Sequence, residues 1–228
     1  MQEFAGRVAI VTDTGIGLAI AKRFALGGAI VVECGIEQSA NEEMARTAGS
    51  SGLALHVECC DVTDPDAVRS VIGKTVSCFG GLDIIVNAAA IHPFGTVLET
   101  SLPDWNRCMM VNVGSIYLLA HLAVPEMRKR GGGVIINLAS VQGYACQRGV
   151  AAYATSKGAI HSLTRALALD HAPDNIRVNL ISPGSIRNPC SHVRQRTSRK
   201  ICRSKMHLSG LGRRIRSGAS VHLRKSLN

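Results

Sequence analysis

The 228-residue chain predicts an α/β fold built on a doubly wound parallel sheet. Two observations carry that expectation. Short runs rich in Val, Ile and Leu, apolar along their whole length, alternate with longer segments whose apolar residues recur at helical spacing; strands without a polar face belong in a sheet covered on both sides. Turn residues (Gly, Pro, Asp, Asn) stand at or just beyond the ends of those runs, where the chain leaves one element for the next.

Residues 7–12 (RVAIVT) form the first strand, and Asp13-Thr14-Gly15-Ile16-Gly17 turns it into a helix over 18–26 (LAIAKRFAL). A second strand over 29–34, a helix over 37–48, a third strand over 53–59 and a helix over 65–78 follow, with Asp64 as N-cap of the last. The fourth strand is 82–87 (LDIIVN). A long helix begins near Pro103, passes Asn112 and ends before Gly131, and Gly131-Gly132-Gly133 leads into a fifth strand, 133–139 (GVIINLA). An Ala-rich helix spans 150–170, and Pro183-Gly184 ends the sixth strand, 176–182 (IRVNLIS). Right-handed crossovers between such elements give a Rossmann-type sheet of six strands, with ligands beyond the carboxyl ends of the strands. Gly15, Gly17, Asp61, Asn87, Ser140 and Pro183 all fall at or past those ends.

The net charge of +10 is not spread along the chain. Residues 191–228 hold 11 Lys and Arg and no acidic residue, leaving 15 basic against 16 acidic in residues 1–190. One domain over residues 1–189 and a basic tail over 190–228 follow. No aromatic residue occurs after Tyr153, and Arg and Ser recur in the tail without period, so the tail is expected to be largely disordered. No apolar run approaches the roughly 18 residues of a membrane span, and the N-terminus lacks a signal-peptide pattern; a cytoplasmic protein is expected. The eight cysteines show no C-x-x-C spacing and read as reduced structural thiols rather than as metal ligands.

Chemistry concentrates in 140–157, SVQGYACQRGVAAYATSK. Tyr153 and Lys157 lie four apart, one turn from each other on one helix face. A nearby ammonium lowers a phenol from its ordinary pKa of about 10, which makes Tyr153 a general acid or base tuned by Lys157. Ser140, at the end of the fifth strand, is placed to hold a substrate oxygen.

Several further motifs occur in order: the glycine turn after the first strand, Asp61-Val62-Thr63 after the third, Asn87-Ala88-Ala89-Ala90 after the fourth, Asn112 in the long helix, and Pro183-Gly184-Ser185-Ile186 after the sixth. With Ser140 and Tyr153-Ala154-Thr155-Ser156-Lys157 they resemble the short-chain dehydrogenase/reductase family over about residues 1–189. The resemblance implies hydride transfer between NAD or NADP and a secondary alcohol or ketone. It makes Tyr153 the proton donor or acceptor, Lys157 its tuner and a ligand of the nicotinamide ribose, Ser140 the group that orients the substrate oxygen, and Asn112 part of a water relay. For the cofactor it implies Thr12, Gly15, Ile16 and Gly17 at the pyrophosphate, Asp61 and Val62 at the adenine, Asn87 and Ala88 near the adenosine ribose, and Pro183, Gly184 and Ile186 facing the nicotinamide. It also implies a homo-oligomer paired through the long helices.

The sequence departs from the family pattern in three places. The turn T-G-x-x-x-G-x-G is two residues short, lacks its first glycine and carries Asp13. At about 4 Å two like charges repel by roughly 1 kcal/mol in water and ~4 at an effective dielectric of 20, so weak dinucleotide binding is expected unless Asp13 serves instead as a helix N-cap. Gly35 and Ile36 stand where an acidic residue or Arg would select NAD or NADP, with Glu33 two residues early and Glu37 two late; the absence of a basic residue between Arg23 and Arg46 leans towards NAD. After Pro189 the resemblance stops and no seventh strand is expected, leaving the sixth as an apolar edge. Either the tail is a basic arm for nucleic acid or an anionic surface, or it lies outside the fold, as translation out of frame would leave it; the abrupt change favours the latter. Two functions compete: an oxidoreductase of the short-chain type, impaired by these departures, and a catalytically silent domain with a binding tail.

Overall fold

The computed structural model describes residues 2–12, 15–37, 41–42, 46 and 52–185. The expectations placed on Asp13, on most of the 37–48 helix, on Ile186 and on the 190–228 tail concern residues outside this set.

Strands β1 (Val8–Thr12), β2 (Ile30–Gly35), β3 (Leu55–Cys59), β4 (Ile84–Asn87), β5 (Gly133–Leu138) and β6 (Ile176–Ile181) form one sheet, in the order β3-β2-β1-β4-β5-β6. Every pairing is parallel. The chain winds outward from β1 to one side and then, starting at β4, to the other, so the crevice between β1 and β4 is the point where strand order reverses and ligands bind in such sheets.

All of β1 is buried because alternate residues feed two cores. Ile10, Val32, Ile85 and Ile135 pack with helices α2 (Pro65–Phe79) and α4 (Ser115–Lys129) on one face. Ala9, Val11, Val31 and Val86 pack with α1 (Ile16–Leu26) on the other. The two-sided covering expected from strands without a polar face is therefore present. Asp64 caps α2 as expected, its carboxylate accepting from the Asp66 N–H at 2.9 Å.

Two helices differ from expectation, and both differences bear on the site. α1 begins at Ile16 rather than at residue 18, with Gly15 as N-cap and no side-chain cap. A Cβ on Gly17 would lie 2.3 Å from the Thr12 carbonyl oxygen; glycine there lets the helix start directly against the strand end. The long helix is not uniform. It runs as α3 (Leu102–Met109), a π-helical turn over Met110–Gly114, and then α4. Asn112 sits in that turn with its side chain bonded to the Ile91 backbone; such turns are frequent at functional sites. The composite helix Leu102–Lys129 also holds an 18-residue window apolar enough to cross a membrane by length and composition, contrary to expectation. Its residues Leu119, Ala123, Val124 and Met127 are spent on the sheet's core.

Candidate active site

Helix α5 (Ala151–Asp170) carries Tyr153 and Lys157, and β5 ends just before Ser140. The sheet brings these ends together. Lys157 is buried and donates from Nζ to the Leu138 carbonyl at 2.7 Å, tying the helix to the end of β5. Its Nζ lies 5.5 Å from the centroid of the Tyr153 ring. The Ser140 hydroxyl stands close enough to the Tyr153 phenol to favour its ionised form, and Ser140 Oγ accepts from the Gln142 N–H at 3.2 Å, which holds it as the cap of a short turn.

The phenol's pKa moves opposite to the expected lowering. Burial raises it, the Ser140 hydroxyl pulls it down, and the neighbouring Cys108 thiol adds to the rise, so the net shift is upward. The physical reason lies in where charge and solvent are: the ammonium of Lys157 is bonded to a strand-end carbonyl, while the phenol is withdrawn from water.

Asn112 is wholly engaged. Its Oδ1 accepts from the Ile91 N–H at 2.8 Å, and its Nδ2 donates to the Ile91 carbonyl at 3.0 Å and to Ser156 Oγ at 2.9 Å. It fastens the segment after β4 to α5. Thr12 does comparable work at β1: its buried Oγ1 accepts from the N–H groups of Ala88 and Ala89, both at 3.0 Å. Both residues thus hold the frame of the site rather than offering free groups to it.

At the crevice, Gly15 and Ile16 open α1 and Gly17 lies buried in its first turn. Asp61 is exposed and its Oδ1 accepts from the Thr63 N–H at 2.9 Å and from the Thr63 hydroxyl at 2.7 Å, which is the turn-capping role; Val62 is buried beside it. Asn87 donates to Asn137 Oδ1 at 2.8 Å, and Asn137 donates to Thr164 Oγ1 at 2.9 Å, a buried chain from β4 through β5 to α5. The Val141 N–H donates to the Pro183 carbonyl at 3.1 Å, which joins the Ser140 turn to the end of β6, and a Cβ added at Gly184 would meet no atom of the described residues within 4 Å. Ser140, Tyr153, Lys157 and Pro183 are thus gathered at one edge. Glu33 lies fully buried inside β2, not at the strand end where cofactor choice is made.

Sequence reasoning missed three residues. His92 received no chemistry, yet its ring packs on Tyr153 with centroids 4.0 Å apart. Asn137 was passed over although a polar residue inside an apolar strand signals a buried hydrogen-bond network. Asn41, whose Nδ2 donates to the Gly35 carbonyl at 2.9 Å at the end of β2, gave no sequence signal.

Comparison with known proteins agrees with this geometry. The family described as short chain dehydrogenase matches residues 7–199, past Pro189 where the sequence reading ended the resemblance. An uncharacterized oxidoreductase of Thermotoga maritima is 39% identical over 183 residues, covering 79% of this chain and 72% of the relative. Meso-2,3-butanediol dehydrogenase of Serratia marcescens is 35% identical over 187 residues, covering 81% and 73%. The crystal structure of a short chain dehydrogenase from Mycobacterium smegmatis superposes with a TM-score of 0.78 at 31% identity, covering 82% of this chain and 80% of that one. Family match, relatives and sheet concur: this chain belongs to the short chain dehydrogenase family and is an NAD(P)-dependent oxidoreductase.

Proposed function

We propose that the protein interconverts a secondary alcohol and a ketone, with Tyr153 as the group that moves the proton. The observation that carries this reading is the hydroxyl pair of Tyr153 and Ser140 beside the buried Lys157. Two neighbouring hydroxyls can together hold one substrate oxygen. Ser140 orients that oxygen, and Tyr153 donates to it during reduction or accepts from it during oxidation. Lys157 keeps positive charge close to the phenol and fixes the helix at the strand end, so the proton moves within a preformed site.

The residues present fit a dinucleotide. Asn87 Oδ1 and Asn41 Oδ1 are buried acceptors with no hydrogen-bond partner among the described residues; Asn87 ends β4 and Asn41 is bonded to Gly35 at the end of β2, the two strands that flank β1, and ribose hydroxyls are donors of the kind these oxygens lack. The uncapped N-terminus of α1 faces the same crevice and suits a pyrophosphate. The bound cofactor supplies the hydride chemistry. Gly15, Ile16, Gly17, Asp61, Val62, Asn87 and Ala88 would hold its adenosine and phosphate portions, and Lys157, Pro183 and Gly184 its nicotinamide end. NAD is favoured over NADP because no basic residue occurs between Arg23 and Arg46. The butanediol dehydrogenase relative supports a small secondary alcohol as substrate. Exposed Tyr117 on α4 and Leu169 on α5 suit a homo-oligomer paired through these helices.

Assay of the chain and of Tyr153→Phe against small secondary alcohols and ketones tests the reading. Loss of the transferable proton is expected to lower kcat by about 10²–10⁴, with dinucleotide affinity kept. Full turnover by the variant would reject Tyr153 as the proton-transfer group.

A further inference from the structure

The segment that leaves β4 is fastened at three points. The Ala88 and Ala89 N–H groups donate to Thr12 Oγ1. Ile91 is held through both its N–H and its carbonyl by Asn112. Gly95 donates to the Gly149 carbonyl at 2.8 Å and accepts from the Ala151 N–H at 3.2 Å. His92 stands between the second and third fastenings. Its ring is packed on Tyr153 at 4.0 Å and 46°, and on its other neighbour, the exposed Phe94, at 4.6 Å and 43°.

A ring is enough for packing, and a phenyl group would pack there without taking polar atoms partly out of water. An imidazole carries hydrogen-bonding nitrogens that a phenyl group lacks, in a ring packed directly on the phenol. With the reacting oxygen held by Tyr153 and Ser140, a substituent of the reacting carbon that runs along the phenol would meet His92, whose ring lies 4.0 Å from the phenol ring. We propose that His92 is a specificity-determining residue that hydrogen-bonds an oxygen on the carbon next to the reacting one, so that the preferred substrates are α-hydroxyketones and the vicinal diols they form. This inference rests on the proton-transfer reading above, because that reading places the reacting oxygen.

The test compares 3-hydroxybutan-2-one with butan-2-one, which share a skeleton and differ by one hydroxyl, on the full chain with NADH or NADPH. Wild type is expected to favour the hydroxyketone in kcat/KM by about tenfold or more, the yield of one net hydrogen bond. His92→Phe keeps the ring and removes the nitrogens, and its loss is expected to be about tenfold greater on the hydroxyketone than on butan-2-one. His92→Gln, with an amide at similar reach, is expected to recover part of the preference. In parallel, the His92 imidazole resonances, assigned by their loss in His92→Phe, are expected to shift when hydroxyketone is added to the chain with oxidised cofactor and to stay in place with butan-2-one. Equal turnover of both ketones by wild type, or an equal loss on both in His92→Phe, overturns the inference and leaves the oxidoreductase reading standing. Absence of turnover with either ketone and of dinucleotide binding overturns both.

Discussion

The proton on Tyr153 is held more tightly than on a free tyrosine because burial penalises the phenolate more than the Ser140 hydroxyl stabilises it. An acid whose pKa is raised keeps its proton to higher pH, so in the free chain this phenol ionises above the ordinary value of about 10. The difference in alkaline tyrosinate absorbance between the wild type and Tyr153→Phe isolates that single titration. Ser140→Ala removes the hydroxyl that opposes the rise, and the transition is expected to move to still higher pH. A transition below the ordinary value in the wild type, or a downward move in the variant, would show that burial does not govern the phenol. The pairing of Tyr153 with Lys157 was legible because two residues one helical turn apart need no tertiary information. The sign of the shift was not, because it depends on how much water the folded site excludes.

At the scale of the element, the start of α1 is set by contact with β1 rather than by helix propensity. Gly17 is where the backbone of the first turn meets the Thr12 carbonyl, and a Cβ there would stand 2.3 Å from that oxygen. A backbone oxygen in a buried strand cannot give way, so Gly17→Ala must displace the helix. A loss of about 1–3 kcal/mol in stability is expected from such overpacking, together with weaker dinucleotide binding as the helix N-terminus leaves the crevice. Gly73→Ala in α2, where an added Cβ meets nothing within 4 Å, is the control and is expected to be neutral or stabilising by up to about 1 kcal/mol. Thermal melts and cofactor titrations of both variants check the pair; equal behaviour would show that the close approach does not matter. The glycines could be read from sequence as a turn, but not that Ile16 and Gly17 belong to the helix. Asn112 shows the same limit: it could be read as lying in the long helix, but not as sitting in a π-helical turn with its side chain bonded to Ile91 and Ser156.

For the molecule as a whole, six strands and their parallel order were legible because each strand is short, apolar and bounded by turn residues, and because crossover handedness leaves few ways to connect them. What joins the two halves of the sheet at its amino edge was not legible, since it links residues far apart in sequence. Asp83, at the start of β4, is buried and accepts from the Val8 N–H at 3.0 Å, from Arg7 Nη1 at 3.0 Å and from Arg130 Nη2 at 3.1 Å. It ties β1, β4 and the end of α4 on the side of the sheet away from the site. Burial alone would raise its carboxyl, but the Val8 N–H and the two guanidinium groups outweigh that and hold it below its ordinary value. A depressed carboxyl adds stability above its unfolded pKa of about 3.9 and loses that contribution as pH falls through the folded value. Asp83→Asn is expected to cost about 2–3 kcal/mol at neutral pH, less than the ~3–5 of a fully buried pair because both arginines reach solvent. The gap in melting temperature between wild type and variant should therefore be widest near neutrality and close below about pH 4. A gap that is constant with pH would assign the stabilisation to packing rather than to charge. Because Asp83 lies away from Tyr153, the variant's kcat at temperatures where it remains folded is expected to match the wild type.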